Sequence, residues 1–298
     1  MKKHLFFLLF ICLLTLHSIA QKNPIRVLVL TAHPDEAEEY VGGTIASFAE
    51  HGAEVQIASL TNGDVGHWTM TKEAIAERRK QEAIAAGKIL GASYLISNHH
   101  DGELEPSIEV RKEIVTIIRK WNPDIVITFM EMLGGGHPDN MAVATAVRQG
   151  AGLSFAPLFL PEIPALTKRP VFLVVRDYYS KKFTHQADVV IPIDKTYNKK
   201  LDSFAAHASQ FFEFAPYQRG ILNEVPKEPK NYKTFFEKYW GDYSAISDSM
   251  RNWLNTHYGE VKGKQFEHAE EFEYASFSRR LDKEELLKLF PMLRNSFK

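Results

Sequence analysis

Short apolar runs alternate with longer stretches in which apolar positions recur at helical spacing over the first half of the chain. Ile25-Arg26-Val27-Leu28-Val29-Leu30 is brief, mostly apolar and partly β-branched, which predicts a buried strand. Residues 38–51 follow with helical periodicity and close on Gly52, a helix stop. The unit then repeats, with strands expected at 54–60, 93–97 and 124–129 and helices at 72–90 and 108–121. Strictly alternating strands and helices predict an α/β fold whose mostly parallel sheet is covered by helices on both faces. Further strands are expected at 171–175 and 187–193, then one helix over 195–214. From Pro216 the composition turns polar and aromatic, predicting a helix over 232–257 and an extended stretch over 266–275. This C-terminal extension, 216–298, is expected to pack on the same domain, as a small appendage or as a lid.

Sites in such sheets gather at the carboxyl ends of the strands, and three polar segments fall there: 33–36, 61–67 and 134–140. His33 and Glu36 are three apart where the chain leaves a strand, so an imidazole and a carboxylate can converge on a zinc-like ion. Asp35 between them can take a proton from a water that the ion acidifies. An acidic helix start favoured by the helix dipole accounts for Asp35 and Glu36 equally well. In the third segment Pro138 suits the first turn of a helix, placing His137 at its start and Asn140 one turn on. A capped helix after a glycine run is the alternative reading of that segment.

Composition narrows the chemistry. Lys2 and Lys3, the apolar run from Leu5 to Leu16 and Ser18-Ile19-Ala20 have the pattern of a secretory signal cleaved after Ala20, predicting a periplasmic or secreted protein; an uncleaved anchor is the alternative. The single cysteine, Cys12, would leave with the signal, so the mature chain would hold a metal through nitrogen and oxygen alone. Loss of Lys2 and Lys3 leaves 34 basic against 37 acidic residues, no footprint for nucleic acid. No Gly-x-Gly-x-x-Gly or phosphate loop follows a strand, which argues against a nucleotide-binding domain.

Ala32-His33-Pro34-Asp35-Glu36, Gly42-Gly43-Thr44 and Leu60-Thr61-Asn62-Gly63-Asp64 together resemble the LmbE/PIG-L deacetylases, whose opening motif is Ala-His-Pro-Asp-Asp. Arg79-x-x-Glu82, Asp101-Gly102-Glu103-Leu104, Pro123-Asp124-Ile125-Val126 and His137-Pro138-Asp139 extend the resemblance, strongly over 25–150 and more loosely over 165–215. The resemblance implies a Rossmann-like domain over 21–215 and zinc-dependent removal of an N-acetyl group, often from an amino sugar in a glycolipid or glycoside. It implies that His33 and Glu36 are metal ligands, that Asp35 is the general base, and that His137 acts as acid and electrophile with Asp139 orienting its ring. Arg79, Asp64, His67 and Asp101 are candidate substrate-binding residues. A solvated Arg79 on a helix face and turn-capping roles for the two aspartates are the alternatives.

Two positions depart from the family pattern. Glu36 stands where the family usually has Asp, and Asn140 stands where a third metal-ligating histidine is usual. An amide oxygen is a poor zinc ligand beside imidazole. Either the site works with reduced affinity, or another histidine (His67, His99 or His100) completes it, or the chain is a silent carbohydrate-binding member of the fold. No nucleic-acid partner and no stable membrane insertion after signal cleavage are expected.

Overall fold

A computed structural model of the chain describes residues 23–130, 136–178, 186–228 and 231–294. The proposed signal, 1–20, lies outside the described residues, as do Gly134 and Gly135 of the third polar segment.

Strand β1 (Arg26–Thr31) is buried through nearly its whole length. Its alternate side chains enter two cores: Val27 and Val29 face one, Leu28 and Leu30 the other. That two-sided burial is why the run reads as continuously apolar. Strands β2 (Glu54–Thr61), β3 (Ser93–His99), β4 (Ile125–Thr128) and β5 (Val171–Val175) lie parallel to it. With β6 (Val189–Pro192) and β7 (Ala269–Tyr274) the seven-stranded order is β3-β2-β1-β4-β5-β7-β6. The chain leaves β1 towards β2 and β3, then returns to β4 on the other side. The crevice between β1 and β4 is therefore the topological switch point, where α/β sheets bind ligands.

Helix α1 (Glu36–Glu50) starts directly beyond β1, α2 (Lys72–Leu90) ends on left-handed Gly91, α3 (Ile108–Trp121) follows β3, and α4 (Pro138–Leu153) follows β4 with Pro138 in its first turn. The Rossmann-like sheet with helices on both faces is thus the observed fold.

The C-terminal segment supplies β7, which pairs antiparallel with both β5 and β6. Glu270 on β7 is buried and accepts hydrogen bonds from Gly43 N (3.0 Å), Thr44 N (2.7 Å) and Lys200 Nζ (2.7 Å). One carboxylate thereby joins the last strand to α1 and to α5 (Tyr197–Ala206).

Two expected helices are each divided. The run 195–214 becomes α5, a turn at the fully buried His207, and a π-helical segment, Ser209–Phe214, that continues into α6 (Ala215–Arg219). The run 232–257 becomes Tyr232–Trp240 and Asp248–Tyr258: Gly241 opens a tight turn and Ser247 caps a new start by accepting from Met250 N. Among the described residues no helix is long and apolar enough to cross a membrane.

Arg119, in the last turn of α3, is buried and donates to the carbonyls of Leu153, Ser154, Ala156, Leu160 and Ile163. Four of these carbonyls also accept a backbone N–H, from Ala156, Leu166, Phe159 and Ile163, so the guanidinium is a second, charged donor that ties the end of α4 to the loop beyond it, and its removal would also strip a buried cluster of carbonyl dipoles of its cation. Arg119→Ala is expected to cost at least about 3 kcal/mol, read as a fall of roughly 8 °C in the melting temperature.

Candidate metal-assisted active site

The end of β1 is fixed before any catalytic side chain is placed. Ala32 O accepts from Thr61 N (2.8 Å), Thr61 Oγ1 (2.8 Å) and Ser59 Oγ (3.1 Å), locking the exit of β1 to β2. Glu36 then folds back from the first turn of α1: its Oε2 accepts from Ala32 N (3.0 Å) and His33 N (2.7 Å). Its Oε1 lies 3.1 Å from His33 Nδ1. The extra methylene relative to aspartate is what lets the carboxylate span both duties.

The other side of the His33 ring faces two carboxylates. Nε2 is 3.1 Å from Asp101 Oδ1 and 3.3 Å from Asp139 Oδ2. Burial opposes a charge on this ring, but Glu36 and hydrogen bonds to Asp101 and Asp139 outweigh it and hold the pKa well above the ordinary histidine value. The same contacts, against the opposing effect of burial, pull the Asp101 and Asp139 carboxyls below the usual range.

His33, Asp101 and His137 each offer a ligand atom within 4.8 Å of the others, a group able to hold a divalent ion. The His33 and His137 rings meet edge to face at 4.5 Å. Asn140, buried on α4, has an Oδ1 with no hydrogen-bonding partner and lines the same cavity as His33, Asp35, Glu36, Asp101 and His137. That cavity holds about 290 Å³. A buried, unpartnered amide oxygen beside an imidazole and carboxylates is a donor set that fits a cation of the zinc or harder divalent type.

Asp35 is buried and accepts from Arg79 Nη2 at 2.8 Å. Burial raises its pKa, the Arg79 guanidinium opposes the rise, and the net shift is upward. Arg79 is itself buried, with its guanidinium also donating to Gly63 O (3.3 Å), so it holds Asp35 rather than being solvated on a helix face. The loop after β2 wraps that guanidinium. A Cβ on Gly63, which sits at φ +67°, would stand 2.6 Å from Arg79 Nη1, and one on Gly66 would clash with the same atom. Asn-Gly-Asp is therefore a packing device for Arg79 as well as a turn.

Asp64 stands outside the cavity. Its carboxylate is buried and accepts from Asp101 N (3.0 Å) while meeting His100 Nδ1, so it positions the loop that carries Asp101. His67 also stands outside, bonded to Glu213 Oε2 at 3.0 Å. His99 pairs with Glu113 (2.7 Å), so neither His99 nor His100 is drawn into the His33 cluster. The Asp139 carboxylate accepts from Gly102 N (2.7 Å) and Leu104 N (3.1 Å); it reaches His137 only through its backbone N–H, 3.3 Å from Nδ1. Since that nitrogen accepts, Nε2 of a neutral His137 carries the proton.

Three polar residues in the cavity carry no motif: Glu39, Gln210 and Gln218. Burial, reinforced by Asp35, pushes the Glu39 carboxyl up to about 8. Glu39 is one turn beyond Asp35 but stands among the acidic residues that open α1, and the glutamines arrive from the π-helical segment and α6 with no local signal. Gln210 Oε1 is buried without a partner, an acceptor turned to the same space.

A family model described as PIG-L, GlcNAc-PI de-N-acetylase, matches residues 28–151. The chain is 30% identical over 205 residues to the diacetylchitobiose deacetylase of Thermococcus kodakarensis, spanning 66% of this chain and 76% of that protein. The chain belongs to the PIG-L/LmbE family of deacetylases. In fold it is similar to the N,N'-diacetylchitobiose deacetylase of Pyrococcus horikoshii, with a TM-score of 0.63, 23% identity and 84% of each chain covered. It is similar to nearly the same degree to the 4-carboxy-2-hydroxymuconate hydratase of Pseudomonas putida, with a TM-score of 0.62, 19% identity and 87% and 99% of the two chains covered. Two chemistries on one backbone mean that the reaction must be argued from the side chains.

Asp101 and Asp139, expected to bind substrate and to orient His137, instead meet Nε2 of His33, at 3.1 and 3.3 Å. Asp101→Asn is expected to lower cation affinity or turnover by about 10- to 100-fold, checked by titrating the chelator-treated protein with zinc and by initial rates.

Proposed function

We propose that this chain is an exported, zinc-type N-deacetylase that hydrolyses the acetamido group of an amino sugar or a related glycoconjugate. The observation that carries the reading is the convergence, in one cavity, of the His33–Glu36 pair, the unpartnered Asn140 oxygen and an arginine-held Asp35. His33 Nδ1, Glu36 Oε1 and Asn140 Oδ1 are the atoms we assign to the cation. Nε2 keeps its proton because two carboxylates, one fully buried, accept from it, the carboxylate–histidine support usual for metal-ligating rings. A divalent cation bound there supplies Lewis-acid polarisation of the acyl oxygen and a lowered pKa for the attacking water.

The chain's own groups do the rest. Asp35, with its basicity raised by burial and its orientation fixed by Arg79, removes the proton of the attacking water. The C–N bond breaks as the doubly protonated His137 ring gives its Nε2 proton to the leaving nitrogen, releasing acetic acid and the free amino sugar; the acid ionises to acetate and the proton held by Asp35 passes back to His137. Gln210 Oε1 accepts from a substrate hydroxyl in the cavity. The signal-like pattern of residues 1–20 supports export.

The test is acetate release from N-acetylglucosamine and its glycosides by the full chain, with and without chelation. Equimolar acetate and amine, lost on chelation and restored by zinc, is the expected result. Sugar binding with no acetate under zinc, manganese or cobalt would overturn the enzyme reading in favour of a silent carbohydrate-binding member.

A further inference from the structure

One groove of the molecule is lined by charges of a single sign. Arg148 on α4, Arg169 in the segment before β5 and Arg279 in the segment after β7 converge on a space of about 400 Å³, and no carboxylate lines it. The chain as a whole has 37 acidic residues against 36 basic ones. Its other large grooves carry both signs, with acids such as Asp194 and Glu77 beside lysines such as Lys195 and Lys80. Three guanidiniums brought together from three separate segments are therefore not what composition alone would produce.

The floor of the groove is aromatic. Phe172 is buried at the start of β5, and Phe155 and Phe277 are half-buried beside it, Phe277 meeting Phe172 at 5.2 Å between ring centroids. Arg169 lies over the Phe155 ring, its Cζ 5.3 Å from the centroid. That contact uses a face of the guanidinium and leaves its N–H edge uncommitted, since no acceptor among the described residues takes a bond from it. The neighbouring arginines are anchored. Arg279 Nε donates to Arg169 O (3.2 Å) and its Nη1 pairs with Glu285 Oε1 (2.6 Å), while Arg148 Nη1 reaches Ser276 Oγ at 3.5 Å.

Charge and shape together decide what fits. A planar guanidinium edge matches a carboxylate in a two-point hydrogen bond, and phenylalanine faces beside it favour a flat apolar body over a bare inorganic ion. The volume lies within the roughly 300–1,000 Å³ typical of small-molecule sites. The carbonyl end of α4 carries a dipole that would repel an anion, but Arg119 already donates to Leu153 O and Ser154 O there. Phe172 opens β5, which runs parallel to β4 and β1, so the groove stands at the end of the sheet opposite His33.

We infer that this groove is a binding site for a small aromatic carboxylate, with the ring on Phe155 and Phe277 and the carboxylate paired to Arg169 and Arg148. The test titrates the full chain, by calorimetry, with naphthalene carboxylate, with naphthylmethanol as the same ring without the charge, and with inorganic phosphate as charge without the ring. The wild type is expected to bind the carboxylate at one site, about tenfold or more tighter than either control. Arg169→Gln takes no hydrogen bond from the fold and is expected to weaken binding about tenfold, as is Arg148→Gln. Lys80→Gln, which removes the same charge from another groove, is expected to leave it unchanged.

Binding that survives Arg169→Gln would place the ligand elsewhere on the protein and overturn the site. Equal affinity for phosphate would reduce the groove to an unspecific cationic patch, and no binding by protein shown to be folded by its melting curve would remove it altogether. Arg169-dependent binding to vesicles of anionic phospholipid, without binding of naphthalene carboxylate, would make the groove a membrane-facing surface and overturn the small-ligand site. None of these outcomes bears on the deacetylase reading, because no catalytic group enters the measurement.

Discussion

Asp35→Asn is expected to lower kcat by about 10²- to 10⁴-fold, the usual range for loss of a general base, with bound zinc and melting behaviour largely kept. An amide oxygen at position 35 can still accept from Arg79, so the guanidinium is not stranded, whereas Asp35→Ala would leave it buried without its anion, a change that costs about 3–5 kcal/mol. The proton-accepting function is what asparagine cannot replace. Zinc content by elemental analysis and single-turnover rates check the pair of outcomes. Retained turnover would remove Asp35 from the role of base, and loss of zinc along with turnover would move it into the ligand set.

Asn140→His is expected to tighten zinc binding at least tenfold, about 1.4 kcal/mol, and to raise turnover at limiting zinc. The amide oxygen it replaces is buried and unpartnered, so removing it breaks no hydrogen bond. An imidazole is the better ligand for zinc, whereas an amide oxygen suits harder cations. The same substitution should therefore shift the preferred ion, with the ratio of zinc to manganese affinity rising. Calorimetric titration of the chelator-treated wild type and variant reads both effects. No change in either affinity would place Asn140 outside the cation shell and make its orphaned oxygen an acceptor for substrate alone.

The sheet was legible because its signals are local. Val27 to Leu30 alternate between two apolar cores, so β1 reads as unbroken hydrophobicity, and Gly52 and Gly91 mark ends at which the chain adopts positive φ. What the sequence did not disclose depends on distant partners. His207 interrupts an otherwise periodic run where it is buried within 3.3 Å of Glu38, a residue on α1. Gly241 and Ser247 are modest breakers that matter because the segments on either side pack separately.

The candidate site divides in the same way. His33, Asp35, Glu36, His137 and Asn140 come together because two motifs flank the switch point between β1 and β4. Arg79 and Asp64 also belong to the motifs, yet their duties are internal: one holds Asp35 and the other holds the loop of Asp101. A charged side chain on a helix or in a turn looks the same in sequence whether its partner is water or a buried ion. Gln210 and Gln218 could not be found at all, since their approach to the cavity follows from the π-helical segment and α6 packing across the mouth. Glu39 was hidden among the acidic residues that the start of α1 favours in any case.

Anomalous diffraction at the zinc edge, from crystals of the chain soaked with zinc, reads directly whether the proposed cation sits on the Nδ1 side of His33. One strong peak is expected, bonded to His33 Nδ1, Glu36 Oε1 and Asn140 Oδ1, with Asp101 still hydrogen-bonded to Nε2. A peak on the opposite side, shared by His33 Nε2, Asp101 and His137, would contradict it, and would turn His137 from the acid into a ligand.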